Sequence, residues 1–165
     1  MTRMQSAVRR RRAVAAAGAV SAGLLVLTAC DKPTPVATVT VGSSSVNAEA
    51  VCYNDGEKLD AESLAQCAKN TDDIKSIEVG QDETVRFGVD PAVADNGWVV
   101  MVNGRQFTDK STKTYRTIPS SAFFNAQYGT EGATNTVSIQ EGEDGVKGLW
   151  TFKLKQDESW KETVS

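Results

Sequence analysis

The stretch Trp98-Val99-Val100-Met101-Val102-Asn103-Gly104-Arg105-Gln106-Phe107-Thr108 decides the fold of this chain. Two runs of strand-forming residues meet across Asn103-Gly104, the pair best suited to the two positive-φ positions of a tight hairpin turn. Working outward, the same grammar repeats. Upstream, Thr84 to Val89 alternates Val85, Phe87 and Val89 against Thr84 and Arg86 and stops at Asp90-Pro91, while Ile74 to Val79 stops at Gly80. Downstream, Thr114 to Ile118 is closed by Pro119, and a polar loop from Gly129 to Asn135 leads to Thr136 to Glu141. The last run, Val146 to Lys155, places Trp150, Phe152 and Leu154 on one face. Nearer the N-terminus, Val36 to Val41 and Val46 to Tyr53 alternate on either side of a turn at Gly42 to Ser45. Short strands every 8–12 residues or so, with turn signals between them, predict an all-β domain. Some seven or eight strands over 36–156 favour an immunoglobulin-like antiparallel β-sandwich, with a small closed barrel as the alternative. Asp157 to Ser165 reads as a polar C-terminal tail.

The N-terminal segment obeys different rules. Met1 to Arg12 carries Arg3 and the run Arg9-Arg10-Arg11-Arg12 without an acidic residue, and Ala13 to Leu27 is uncharged and mostly Ala, Val, Leu and Gly. A basic region, an apolar region and a small-residue exit together predict a secretory signal over 1–29. The apolar run is shorter than the roughly 20 residues that cross a bilayer. Its end, Leu27-Thr28-Ala29-Cys30, resembles the lipobox of bacterial lipoproteins. Small Thr28 and Ala29 suit an extended fit in a peptidase cleft, and Cys30 is the soft nucleophile for a thioether to diacylglycerol. Two acyl chains anchor stably where one is marginal. The expectation is a mature chain that begins at lipidated Cys30, sits on the extracytoplasmic face of the cell membrane, and is held off the lipid by the Pro-rich tether 30–35. Arg11-Arg12 also resembles a twin-arginine export signal, with a generic basic region as the alternative.

Removing Cys30 leaves Cys52 and Cys67, an even pair in an exported chain, for which a structural disulfide is the default. Asn54-Asp55-Gly56 breaks the preceding strand, and Asp60 is a good helix N-cap with Leu59 and Leu64 at hydrophobic-staple spacing. The helix predicted over 61–69 carries Leu64, Cys67 and Ala68 along one face. So short a helix is marginal alone. A bridge closing a loop of about 15 residues would contribute about 3 kcal/mol and pin it to the strand of Cys52.

Composition excludes more than it assigns. Five of the 18 basic residues precede Cys30 and all 21 acidic residues follow it, leaving 13 against 21 and a mature charge of −8. That balance argues against nucleic acid as a partner. The chain has no histidine. This removes the commonest general base, the Ser-His and Cys-His nucleophile systems, and the commonest zinc and copper ligand. No Gly-x-Ser-x-Gly elbow, Ser-x-x-Lys motif or phosphate-cradling glycine loop is present. No cofactor, metal site or catalytic residue is expected. Carboxylates at Asp72-Asp73, Asp82-Glu83 and Glu141 to Gly145 could serve glycosidase chemistry or hold calcium, but each sits at a predicted turn where acidic residues are ordinarily solvated. Phe123, Phe124, Tyr128 and Tyr115, with Arg116 beside them, form a candidate interaction surface. The competing reading is that the phenylalanines are sandwich core.

One family resemblance joins these pieces. It rests on Cys52-Tyr53-Asn54-Asp55-Gly56 with a helical Cys67, Arg86-Phe87-Gly88-Val89-Asp90-Pro91, Gly97-Trp98, Val102-Asn103-Gly104 and Gly148-Leu149-Trp150-Thr151-Phe152. In these the chain resembles small actinobacterial membrane lipoproteins of an uncharacterised family. The resemblance implies address and fold and brings no activity. The expected role is therefore a non-catalytic binding or interaction module, anchored through Cys30 and facing an envelope protein or polymer. The alternatives are a structural component of an envelope complex, or a carboxylate-based glycan hydrolase.

Overall fold

The computed structural model describes residues 34–69, 73–142 and 144–164. The predicted signal, Cys30 and most of the tether lie outside them. In chain order the elements are β1 (Val36–Val41), β2 (Ser44–Glu49), β3 (Cys52–Tyr53), α1 (Ala61–Cys67), β4 (Lys75–Val79) and β5 (Thr84–Val89). Then come α2 (Pro91–Asn96), β6 (Trp98–Val102), β7 (Arg105–Gln106), β8 (Tyr115–Pro119), β9 (Thr134–Glu141) and β10 (Gly148–Gln156). Short 3₁₀ turns cover Ser120–Ala122, Ala126–Tyr128 and Glu158–Val164.

The strands form two sheets. One is ordered β2-β1-β5-β8; the other runs β10-β9-β6-β7, with β3 and β4 both paired to the remaining side of β10. Every ladder is antiparallel except β4 with β10. Each sheet keeps open edges, so the fold is the expected sandwich and the closed-barrel alternative falls away. Period-two alternation builds the core. Val39, Val85 and Phe87 from one sheet meet Val100, Val137, Ile139, Trp150, Phe152 and Leu154 from the other, all fully buried. Each such side chain contributes about 1.5–3 kcal/mol over leaving it in water. Asn103 (φ 49°) and Gly104 (φ 79°) take the two positive-φ positions of the β6–β7 hairpin as read from the sequence.

Three expectations need correction. The run 46–53 is not one strand: it breaks at Ala50-Val51, and β2 and β3 belong to different sheets. The segment after the Asp90-Pro91 strand stop, read from the sequence only as a break, is helix α2. Pro91 presets the first helical φ, and Val93 and Ala94 turn inward against the core. Six residues are too few to show a helical period. The C-terminal segment, read as a tail, is docked: the Trp160 indole donates to the Val79 carbonyl at 2.8 Å, and its ring meets Phe124 edge-on at 5.1 Å. Among the described residues no helix is long and apolar enough to cross a membrane.

Trp150 is closely enclosed in the sandwich. Its indole N–H donates to the Pro35 carbonyl at 2.9 Å, and its ring packs against Tyr53 at 6.2 Å. The same ring lies over Gly148, where a Cβ would stand 2.6 Å from Trp150 Cη2 and 2.9 Å from Glu141 Oε2. Gly148→Ala should therefore cost about 1–3 kcal/mol through overpacking. Urea unfolding reads this as a lower midpoint, and an unchanged midpoint would show that the crowding is not real.

Candidate functional site

Helix α1 is built from its cap outward. Asp60 Oδ1 accepts from the Glu62 and Ser63 amides at 3.0 and 2.9 Å, and the Ser63 hydroxyl donates to Oδ2 at 2.6 Å. These bonds satisfy two of the amides a helix start leaves open. The helix ends at Cys67, two residues earlier than the sequence suggested, and Cys67 is bonded to Cys52 of β3 with Cα atoms 5.5 Å apart. None of its residues is fully buried. The helix thus lies on the outside of the sandwich.

Between α1 and the outer face of the six-stranded sheet is a concavity of about 430 Å³. Leu64 of the helix, Ala68 at its C-cap and Ile74 supply apolar walls, with Met101 and Leu149 on the sheet. Thr136, Ser138, Gln140 and Thr151 complete the floor. They face outward because Val137, Ile139 and Glu141 take the inward positions of β9. Ser138 and Thr151 share a hydrogen bond across the two strands at 3.0 Å, which uses one of their two hydroxyl protons. Lys153 ends the row Leu149, Thr151, Lys153 beside Thr136. The volume falls within the roughly 300–1,000 Å³ of small-molecule sites, which are typically apolar with few polar groups.

The surface read from the sequence is divided by the fold. Phe123 is fully buried against Phe87 and Phe107, at 5.8 and 5.4 Å, and is core as the competing reading had it. Its loop is held inward by Asn135, itself buried, whose amide donates to the carbonyls of Phe123 and Thr130. Phe124 is half-buried under Trp160. Tyr115 and Tyr128 stay exposed, at 66% and 58%. Tyr115 and Arg116 are successive residues of β8 and so project to opposite faces. Arg116 lines a shallow hollow with Phe107, the ring against which Tyr128 stands edge-on.

Of the carboxylates read from the sequence, Asp72 and Glu143 lie outside the described residues, and Glu83 and Glu141 have structural partners. Glu83 Oε2 accepts from the Gly80 amide at 2.7 Å and closes the β4–β5 turn. Glu141, expected in a solvated turn, is buried at 1% exposure as the last inward residue of β9. Asn96 of α2 donates to its Oε1 at 2.6 Å and accepts from the Lys147 ammonium at 3.0 Å. Burial, and then the negative field of Glu141, hold the Tyr53 hydroxyl above its ordinary range. The signal for Glu141 was present in the sequence: it continues the Val137, Ile139 alternation by one step. Among the described residues no cluster of His, Cys, Asp and Glu is arranged to hold a metal ion.

Two outcomes test how the groove is held. Converting Cys52 and Cys67 to Ser together should cost about 2–4 kcal/mol. Amide exchange should quicken selectively in α1 while β9 and β10 keep their protection; protection retained in α1 would show that the bridge does not hold the helix. The cap adds a pH dependence. The Ser63 hydroxyl and amide hold the Asp60 carboxyl below its ordinary 3.8. Its contribution is therefore complete above that value and is lost as pH falls through the folded pKa. Acid titration followed by NMR should release α1 before the sheets in the wild type, and Asp60→Ala should remove that acid-dependent step.

No family model matches the chain, and no curated protein matches it.

Proposed function

We propose that this chain is a non-catalytic binding module, lipid-anchored through Cys30 on the extracytoplasmic face of a bacterial membrane, that holds a small apolar ligand between α1 and the six-stranded sheet. The observation that carries this reading is the 430 Å³ groove with Leu64, Ala68 and Ile74 along its walls. A bonded carboxylate at Glu83 and a buried one at Glu141 favour binding over glycan hydrolysis. The anchor rests on the Leu27 to Cys30 lipobox, the basic-then-apolar segment before it, and the likeness to small actinobacterial lipoproteins. Exposed Tyr115 and Tyr128 favour a second reading, contact with an envelope protein or polymer.

Both halves can be tested on the full chain in a bacterial host that lipidates exported proteins. Cys30→Ser should move the protein from the membrane fraction to the soluble one; a variant that stays with the membrane refutes the anchor. The neutral probe N-phenyl-1-naphthylamine should bind saturably, and Leu64→Glu should abolish that binding with the far-UV spectrum unchanged. Binding that survives Leu64→Glu refutes the groove as the site.

A further inference from the structure

We infer that the groove takes a single-chain amphiphile with a carboxylate head, a fatty-acid-like molecule drawn from the membrane, its alkyl chain along Leu64, Ile74 and Leu149 and its carboxylate at Lys153. This rests on the reading of the groove as a binding site and goes further by naming the ligand class.

Three observations converge on it. The first is shape. A second concavity, of about 610 Å³, shares Ile74 and Thr151 with the groove and is lined by Val36, Ala48 and Ala50 together with the charged Glu49, Asp73 and Lys75. Two hollows joined through common residues make a trough, which suits an elongated ligand better than a compact one. The second is charge. Lys153 lines the groove and makes no hydrogen bond or ion pair among the described residues. Lys147 is held by Asn96 and Lys161 by Glu158, whereas the Lys153 ammonium, like that of Lys75 in the neighbouring hollow, is left for a ligand. A cation without a partner at the edge of the groove lined by Leu64, Ile74 and Leu149 is complementary to one anionic head group. Ser138 and Thr151 bond to each other and so leave one hydroxyl proton of the pair for a polar atom of the ligand.

The third is position. Val36, which lines the second hollow, lies six residues after Cys30. Extended chain of that length spans about 20 Å. If Cys30 carries the anchor, Val36 is tethered within that distance of the bilayer surface, where single-chain carboxylic acids partition. The mature chain's −8 charge would repel such an anion generally, so its capture requires a local cation such as Lys153.

The experiment uses the full chain carrying Cys30→Ser and displacement of N-phenyl-1-naphthylamine by dodecanoate or by dodecanol. Dodecanoate should displace the probe at about tenfold lower concentration than dodecanol, as a charge-assisted contact provides. Lys153→Gln should erase that preference while leaving dodecanol unchanged. Equal displacement by the acid and the alcohol, or a preference that survives Lys153→Gln, overturns the carboxylate assignment and leaves the groove standing. Displacement by neither compound overturns the amphiphile assignment; if the probe itself is also unbound, the groove reading fails with it.

Discussion

The sandwich depends on where one indole can lie. Trp150 lies in the six-stranded sheet on β10, the strand that pairs with β3, β4 and β9. Its ring needs the bare backbone of Gly148, its N–H needs the carbonyl of Pro35, and its edge packs on Tyr53. Through these contacts one side chain ties the start of the domain, the short strand of Cys52 and the final strand together. Close packing makes such a site intolerant of added volume. Glu141 is enclosed at the same place, and the Asn96 amide makes its burial affordable by supplying a donor in a region with little water.

A core arranged this way leaves the outer face of the larger sheet for other uses. That face carries hydroxyls, an amide, Met101, Leu149 and a lysine, a pattern of neither core nor ordinary charged surface. Helix α1 covers part of it without burying any of its own residues completely. A seven-residue helix has too little internal bonding to hold such a position alone. The Asp60 cap and the Cys52–Cys67 bridge do so at its two ends, so the groove is a product of local devices. The rest of the helix is free to present Leu64 and Ala68 to whatever occupies the space.

Legibility varied with the range of the interaction. The Asn103-Gly104 turn, the alternation of Val85, Phe87 and Val89, the Asp60 cap and the cysteine pair were readable because each is local or forced by counting. Helix α2 was not, since six residues display no period and its inward Val93 and Ala94 have meaning only against a core already assembled. Phe123 and Phe124 stood next to each other in a polar loop and invited a surface reading. Asn135, twelve residues on, draws the first inward, and Trp160 covers the second. Glu141 was misplaced for the opposite reason: its charge suggested a turn although its register in β9 pointed inside.

The sequence by itself determined the strand grammar, the helix start, the bridge and the expectation of an anchored address, because these follow from neighbours along the chain. It also determined that histidine chemistry is absent. Packing in three dimensions adds that β2 and β3 part into different sheets, that Trp160 docks, and that Leu64, Ile74, Leu149 and Lys153 line one groove. Those four come from a helix, a connection and two places on one strand. No spacing rule relates them, since what brings them together is the pairing of β4 alongside β10 and the closure of α1 over the sheet.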